Sequence, residues 1–446
     1  SKSINSGTSR LLEALDLLQK REVPLFIDFD QPYYNLKQLG QHEQRAIDLP
    51  AVRHLAEKFP GLPVVVVGAN YNHTGKIFEL FDRVENLKAE LSLFQGFEVL
   101  AFICRTWGPE RLLFGTGLPA ISPGAARAAV MYADIGEDDR RKIASANLEA
   151  LLGEPPAPAL DEDPERSGLL QEIDRGRRIE SIEVIDLHGH IAPVGFESVM
   201  GLTLGPQDAG SMVRVMDRIG IQAVAVSSWE VAGGNAPAGN RLAWEAVEKH
   251  PGRFLPYMVV NANFPEDWPA ESAECFDRKR FFGLKPYPFF QRCPLSGPAY
   301  KKSLCLADRL GLPVLCHPGF DPLSGLSPGE LEVLAPRYPG AIFLVAHAGA
   351  SFRLADAFCD LALAFDNVLL EINYTSVPFG MISYLTGKVG AGRVIFGTDM
   401  PMRDPAPIIG WVAYDHLTDE ERRSILGLNA RALIEKTGYP GPVGRP

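Results

Sequence analysis

The chain has 446 residues, 46% of them hydrophobic, and carries a formal net charge of −11. This length and apolar content suffice for a large buried core or for two domains, and they exclude an intrinsically disordered protein. The acidic balance argues against nucleic acid as a partner, because binding to phosphates requires a basic surface.

The first 150 or so residues contain apolar runs that are typical of buried parallel strands, such as VPLFIDFD from Val23 and LPVVVVGAN from Leu62. Residues 154–168, EPPAPALDEDPERSG, combine proline, alanine and acidic side chains, which indicates a linker. The following LLQEIDRGRRIES is expected to be a short helix. We therefore predict a partial βα domain over residues 1–153 and a linker over residues 154–180.

From residue 182 onward, short apolar runs alternate with amphipathic segments. This alternation predicts a parallel sheet with helices outside it. Repeated about eight times, it predicts an α/β fold, a (β/α)8 TIM barrel over residues 181–446. In such a barrel the functional site lies at the carboxyl ends of the strands.

Metal-ligating residue types stand where several of these predicted strands end: His188 and His190 in IDLHGHI, His317 in PVLCHPG, His347 in IFLVAHAG, and Asp399 in VIFGTDMP. Side chains two residues apart on a strand point to the same side, so the two histidines of HGH can share one cation. Asp186 has the same alternation and is expected either to orient a ligand imidazole or to be a turn carboxylate at the end of the strand. All these residues should converge at one end of the barrel.

The chain also contains an internal repeat. KFPGLPVVVVGAN at 58–70 resembles RYPGAIFLVAHAG at 337–349, and RLLFGTGLPA at 111–120 resembles RVIFGTDMPM at 393–402. In the first copy, the positions of His317, His347 and Asp399 are taken by Asp28, Gly68 and Gly117. One carboxylate should not hold a catalytic metal, so the N-terminal unit is predicted to be a metal-less, half-barrel-like copy. Because open sheet edges are normally covered, we expect it to dock on the barrel or on a partner chain.

DLHGH, GLKPYP, CHPG, AHAGA, GTDMP and the closing ILGLNARALIEK occur in an order that resembles the amidohydrolase-related family of metal-dependent TIM barrels, over roughly residues 180–437. The resemblance implies one divalent metal ion. Zn²⁺ is favoured by the mixed nitrogen and oxygen ligands, with Mn²⁺ and Fe²⁺ as alternatives. The implied ligands are His188, His190, His317 and Asp399.

The resemblance further implies catalytic roles for Asp399 as proton acceptor and for His347 as general acid/base beside the metal. Lys285 occupies a position where some relatives carry a carboxylated, bridging lysine, and here it is expected to contact an anionic substrate. Loops at the carboxyl ends of the strands carry specificity in this fold. The candidates for substrate selection on these loops are Arg403, Arg292, Trp229 and Glu230.

We expect a metal-dependent hydrolase, in which metal-activated water attacks an amide, ester or lactone-like bond of a small anionic substrate. The alternative is a metal-dependent, non-oxidative decarboxylase of an aromatic or unsaturated acid, which the resemblance also includes. A carboxylate-binding arginine at Arg403 or Arg292 would suit that reaction. A catalytically inactive scaffold is the third alternative, disfavoured because the barrel keeps all its ligand residues.

The remaining expectations concern partners and compartment. No apolar run approaches the roughly 18 residues of a membrane-spanning helix, and no secretory signal is present, so neither a membrane nor secretion is expected. Six scattered cysteines are typical of a reduced, cytoplasmic protein. A small-molecule substrate is the expected partner, and a homodimer is left open.

Overall fold

The structure is a computed structural model that describes residues 8–28, 49–153, 167–193, 198–199, 202–203, 207–229, 234–264, 268–320 and 325–443. The strands are β1 (Leu25–Asp28), β2 (Val64–Val67), β3 (Leu87–Glu90), β4 (Leu112–Leu113), β5 (Ile185–Ile191), β6 (Ser198–Val199), β7 (Leu202–Thr203), β8 (Ala223–Ser228), β9 (Phe254–Val260), β10 (Gly283–Pro286), β11 (Pro313–Cys316), β12 (Ile342–Val345), β13 (Val368–Ile372) and β14 (Val394–Phe396).

The helices are α1 (Thr8–Lys20), α2 (Leu49–Lys58), α3 (Thr74–Arg83), α4 (Val99–Trp107), α5 (Pro123–Tyr132), α6 (Glu137–Arg141), α7 (Asn147–Leu152), α8 (Gly168–Asp174), α9 (Ala209–Ile219), α10 (Ala236–Lys249), α11 (Trp268–Ser272), α12 (Pro288–Gln291), α13 (Lys301–Leu310), α14 (Pro328–Arg337), α15 (Phe352–Ala364), α16 (Met381–Val389), α17 (Pro405–Ala413), α18 (Asp419–Arg423) and α19 (Asn429–Thr437). Among these helices, none combines the length and the apolar character that crossing a bilayer requires.

The larger sheet is an eight-stranded parallel barrel in the order β5, β8, β9, β10, β11, β12, β13, β14. Backbone bonds close it between the first strand and the segment after the last one. The Asp399 N–H donates to the His188 carbonyl at 2.6 Å, and the His190 N–H donates to the Met400 carbonyl at 2.7 Å. Its strands are almost entirely buried, as expected where both faces of a parallel sheet are covered. The predicted (β/α)8 barrel is confirmed.

The N-terminal unit is a four-stranded parallel sheet in the order β1, β2, β3, β4, with helices packed on it. Its interior strand β2 is apolar, and Val64, Val65 and Val66 are fully buried. The predicted βα region ahead of the barrel is therefore present. Its strand order is that of β11 to β14, the last four strands of the barrel.

Matched hydrogen bonds support the interpretation of this unit as a partial copy. The Asn86 amide donates to the carbonyl groups of Ala56, Phe59 and Leu62. Asn367 makes the same three bonds in the barrel, to Ala335, Tyr338 and Ala341. A second pair repeats the pattern: Asn147 donates to Pro109 and Leu112, and Asn429 donates to Ala391 and Val394. These bonds tie each strand to its neighbouring helix in the same way in both units.

The N-terminal sheet docks directly on the barrel. Helix α5 packs along α17 so closely that a methyl group at Gly124 would overlap the carbonyl oxygen of Gly410. The Ser122 N–H donates to the Val377 carbonyl at 2.9 Å, and the Phe379 N–H donates to the Ala120 carbonyl at 3.1 Å. The N-terminal unit was expected to dock on the barrel or on a partner chain, and in this structure it docks on the barrel. A homodimer stays a prediction.

The predicted linker is in part a packed helix. Residues 154–166 lie outside the described residues, but α8 follows as expected and buries Leu169 and Ile173. The carboxylate of Asp174 pairs with Arg127 of α5 at 2.7 Å. The connection therefore contributes to the interface between the two units.

Candidate active site

Five of the predicted site residues lie together at the carboxyl ends of the barrel strands. His188 and His190 are on β5 and Lys285 is on β10, whereas His347 and Asp399 follow β12 and β14. Each is at most 5% exposed. His347 and Asp399 have φ angles of 55° and 62°, an uncommon backbone conformation that turns the chain sharply at the strand ends.

The structure brings His188, His190 and Asp399 close enough to share one cation, since their ligand atoms all lie within 4.8 Å of one another. Oδ1 of Asp399 is 2.8 Å from Nε2 of His190 and 3.5 Å from Nε2 of His188. Burial, with Lys285 nearby, lowers the pKa of both imidazoles. They are therefore neutral, which is the form that binds metal ions, and the set fits a divalent cation.

Glu371 on β13 lies beside this cluster. Its Oε2 is 3.1 Å from Nδ1 of His188, and its Oε1 accepts a bond from the Asn373 amide at 2.8 Å. A carboxyl group facing Nδ1 fixes the orientation of a ligand imidazole, here with Nε2 3.5 Å from Asp399 Oδ1. Burial raises the pKa of Glu371 well above its usual range. Glu371 and Asn373 were not predicted from the sequence. The available signal was a glutamate inside the apolar strand VLLEI, because a buried polar group requires partners.

His347 lies 5.2 Å from His188 between ring centroids, and its Nδ1 is hydrogen-bonded to Oδ1 of Asn373. An amide oxygen only accepts, so Nδ1 carries the hydrogen and Nε2 keeps a lone pair. Burial lowers the pKa of His347 well below its usual range. The side chain is thus neutral and able to accept a proton or bind a cation, and its catalytic role remains a prediction.

His317 lies next to His347 and is further from the cluster of His188, His190 and Asp399. Its ring centroid is 4.9 Å from that of His347, and its Nδ1 is 3.0 Å from the Pro318 carbonyl, which leaves Nε2 with a lone pair. Burial lowers the pKa of His317 to about 4. Two groups of described residues have ligand atoms that all lie within 4.8 Å of one another, namely His188, His190 and Asp399, and His188, His347 and Glu371. His317 belongs to neither group. Its place among the ligands remains a prediction.

Lys285 reaches into the cluster from the opposite side of the barrel. Its Nζ is 3.2 Å from Nε2 of His188 and lies 5.4 Å from the ring centroid of Tyr287. Burial lowers the pKa of Lys285 to about 8, against the attraction of Asp399 and Glu371. Its amino group is therefore mostly protonated at pH 7 and loses its proton above neutral pH.

Arg403 is buried rather than exposed on a loop. Its Nη1 donates to Oδ2 of Asp399, and its Nε donates to Thr375 Oγ1 at 2.8 Å. Burial opposes the ionisation of Asp399, but Arg403 and the imidazoles outweigh it and hold the pKa of Asp399 well below its usual range. Asp399 is thus ionised, as a metal ligand must be.

Aromatic side chains form the wall beside His190. Trp229 stacks on the His190 ring with centroids 4.0 Å apart, and Tyr287 Oη lies 3.4 Å from its Nδ1. The Trp229 indole N–H is buried and has no hydrogen-bond partner among the described residues. A buried indole donor ordinarily has a partner, so this one is available to a ligand.

Three other predicted residues lie elsewhere or have other partners. Arg292 is exposed at the end of α12, and Glu230 is outside the described residues. Of the two roles expected of Asp186, the structure shows the turn carboxylate. Its carboxylate accepts the backbone N–H of His188 at 2.9 Å and that of Thr398 at 3.1 Å, so it braces β5 against the turn before Asp399.

Solved structures similar to this chain include two decarboxylases and a protein described as a TIM barrel. The 2,6-dihydroxybenzoate decarboxylase from Rhizobium is 18% identical, over 57% of this chain and 99% of that one, with a TM-score of 0.46. The dihydroxybenzoic acid decarboxylase from Polaromonas sp. JS666, solved with manganese and 2-nitroresorcinol, is 19% identical over 57% and 97%, with a TM-score of 0.46. A TIM-barrel protein from Bordetella bronchiseptica is 16% identical over 58% and 100%, with a TM-score of 0.48.

No curated protein sequence is significantly similar to this chain. The model of the Amidohydrolase family matches residues 8–153 and 185–435, which is well over half of the chain and includes both the N-terminal sheet and the barrel. The matched barrel carries the buried histidine and carboxylate site described above. The chain therefore belongs to the Amidohydrolase family and is a metal-dependent enzyme of that superfamily.

Proposed function

We propose that the chain is a metal-dependent carboxy-lyase that releases CO2 from a small aromatic or unsaturated acid. The observation that carries this proposal is the pair of buried cationic side chains, Lys285 and Arg403, beside the ligand cluster in an aromatic-walled space. Buried cations recognise carboxylates, and arginine does so with directed N–H donors.

The aromatic wall supports a flat substrate. Trp229 already stacks on His190, and Tyr374 lies 5.6 Å from the His347 ring centroid. Aromatic side chains bind a planar ring through offset stacking and apolar burial.

The burial of the site's side chains favours loss of CO2 over hydrolysis. A carboxylate that enters a buried space loses its hydration, whereas the CO2 that it becomes is neutral and needs none. Hydrolysis would instead require a water molecule in that space. The hydrolase expected from the sequence remains the second outcome of the test below.

Asp399 is proposed to move the proton. When CO2 leaves, the electron pair of the broken C–C bond stays on the substrate carbon, which takes a proton to form a C–H bond. Arg403 holds the pKa of Asp399 low even against burial. Because Asp399 is ionised at rest, it first takes this proton from a hydroxyl group of the substrate or from water, and the resulting carboxyl group, a strong acid, then passes it to the carbon.

The metal is proposed to be one divalent cation held by His188, His190 and Asp399, with His317 as a fourth ligand. Mixed nitrogen and oxygen donors suit Zn²⁺, Mn²⁺ and Fe²⁺. When bound, such an ion supplies Lewis acidity to substrate oxygen atoms. Glu371 holds the His188 ring in place for it.

The test supplies the full chain, loaded with Mn²⁺ or Zn²⁺, with dihydroxybenzoates and carboxyvanillate as probe acids and with a parallel panel of amides, esters and lactones. We expect CO2 release equal to the acid consumed, lost in His190→Ala and retained in His250→Ala at the end of α10. Release of amine or alcohol without CO2 would identify a hydrolase. Inactivity on both panels, with no bound metal in a folded chain, would identify a scaffold.

A further inference from the structure

The N-terminal sheet places one side chain at the active site of the barrel. Tyr71 begins the 3-10 turn Tyr71–His73 that follows β2. Its ring centroid lies 4.8 Å from Cζ of Arg403, and its Oη accepts a bond from Nη2 of Arg403 at 3.3 Å. The same Arg403 bonds to Asp399, a proposed metal ligand.

The Arg403 guanidinium lies between two aromatic rings, one from each unit. Tyr374 of the barrel has its ring centroid 5.2 Å from Cζ, and Tyr71 covers the group at 4.8 Å. The barrel supplies acceptors for Nε and Nη1, namely Thr375 and Asp399, whereas Nη2 bonds to Tyr71. Without Tyr71, the guanidinium would lose one ring contact and one acceptor.

Tyr71 also packs on the wall of the substrate space. It contacts the apolar cluster of Ala192, Trp229 and Met402, in which Trp229 is the residue stacked on His190. Strand β7 lies against the turn that carries Tyr71. This end of the N-terminal unit therefore borders the same space as the metal cluster.

The turn itself is well fixed. Oδ1 of Asn70 accepts the N–H of Asn72 at 2.9 Å, and the Thr74 hydroxyl donates to the Tyr71 carbonyl at 2.8 Å. Between the units, the Asp404 N–H donates to the Gln95 carbonyl at 2.9 Å. Because Asp404 directly follows Arg403 in the chain, this bond fixes the backbone beside Arg403 relative to the N-terminal unit that carries Tyr71.

We propose that Tyr71 is a positioning residue for Arg403, so that the N-terminal sheet completes the substrate pocket of the barrel. Stacking keeps the guanidinium turned toward Asp399, and the phenol closes the pocket above it. The inference rests on the barrel site being the active centre. Its effect on KM additionally rests on the proposed lyase function.

The first test measures how well Arg403 is covered, and it needs no substrate. The full-length chain is treated with phenylglyoxal, which modifies accessible guanidinium groups, and the labelling of Arg403 is compared with that of exposed Arg309 by mass spectrometry. We expect Tyr71→Ala or Tyr71→Leu to speed labelling of Arg403 about tenfold, the scale of losing a desolvated cation–π contact. Tyr71→Phe keeps the ring and should label Arg403 as slowly as the natural chain does.

The second test separates positioning from packing through KM and kcat for a probe acid. Tyr71→Phe removes only the hydroxyl acceptor, so we expect KM to rise by about threefold to tenfold with little change in kcat. The matched control is Tyr132→Phe, which removes a 2.9 Å bond from the Tyr132 hydroxyl to the Arg177 carbonyl at the same interface, away from Arg403.

Unchanged labelling of Arg403 in Tyr71→Ala and Tyr71→Leu would overturn the proposal, whatever the reaction. An equal rise of KM in Tyr71→Phe and Tyr132→Phe would also overturn it, because a general weakening of the interface would then be the cause. If the natural chain releases no CO2 from any acid, the lyase assignment fails, and the labelling result alone decides the role of Tyr71.

Discussion

The carboxyl group of Glu371 lies 3.1 Å from Nδ1 of His188, joining the seventh barrel strand to the first. Glu371→Gln replaces one carboxyl oxygen with an NH2 group, which cannot accept a hydrogen bond from this imidazole. We expect metal affinity to fall by about tenfold to a hundredfold, as when carboxylate partners of ligand histidines are replaced. The dissociation constant is measured by competition with a chelator.

The chain offers its own control for this prediction. Glu90 occupies the matching position on β3 of the N-terminal sheet, where it accepts the backbone N–H of Ser92 at 2.7 Å. Glu90→Gln should leave metal affinity unchanged. Equal losses in the two variants would mean that Glu371 acts through general stability rather than through His188.

Arg403 should set the pH at which Asp399 is ionised. Because Arg403 lowers the pKa of Asp399 against burial, Arg403→Gln should raise that pKa. The ionised form then requires a higher pH, so the acidic limb of the pH profile of kcat/KM should move upward. Exposed Arg309→Gln is the control, and an acidic limb that does not move would contradict the prediction.

The sequence alone indicated that His188, His190 and Asp399 lie close together, and the reason is physical. His188, His190 and Asp399 each directly end or follow an apolar run, and the parallel strands of a barrel bring such positions to one edge. Glu371 was missed because no repeated spacing marks a single polar residue in a strand. The role of Tyr71 could not be predicted from the sequence, because its contact with Arg403 depends on how two separately packed units dock.

Asp404 should make the interface between the units sensitive to pH. Burial, with Glu98 nearby, raises the pKa of Asp404 from 3.8 to about 6. The folded chain then holds this proton more tightly than the unfolded chain, so its stabilising effect is full below pH 4 and is lost as the pH rises through about 6.

Asp404→Asn cannot ionise and keeps an oxygen that accepts the Glu98 N–H. As the pH rises from 4 to 7, we expect the free energy of unfolding of Asp404→Asn to increase by about 1–2 kcal/mol relative to that of the natural chain. Urea unfolding at a series of pH values measures the difference. A difference that is constant with pH would show that Asp404 does not titrate in this window.

The contact between α5 and α17 leaves no room for a side chain. A methyl group at Gly410 would overlap the carbonyl oxygen of Gly124, so Gly410→Ala should push the N-terminal sheet from the barrel and cost about 1–3 kcal/mol. Gly387→Ala, on an exposed position of α16 with open space around it, should be neutral or stabilising. Thermal unfolding compares the two, and similar melting temperatures would contradict the tight interface.

The most direct test of the metal assignment is the anomalous scattering of crystals grown with Mn²⁺ or Zn²⁺. We predict one peak per chain, among His188, His190 and Asp399, that is absent in His190→Ala. The N-terminal sheet, with Asp28, Gly68 and Gly117 at the matching positions, should show none. A folded chain with no peak in the barrel, or with a peak in the N-terminal sheet instead, would contradict the account.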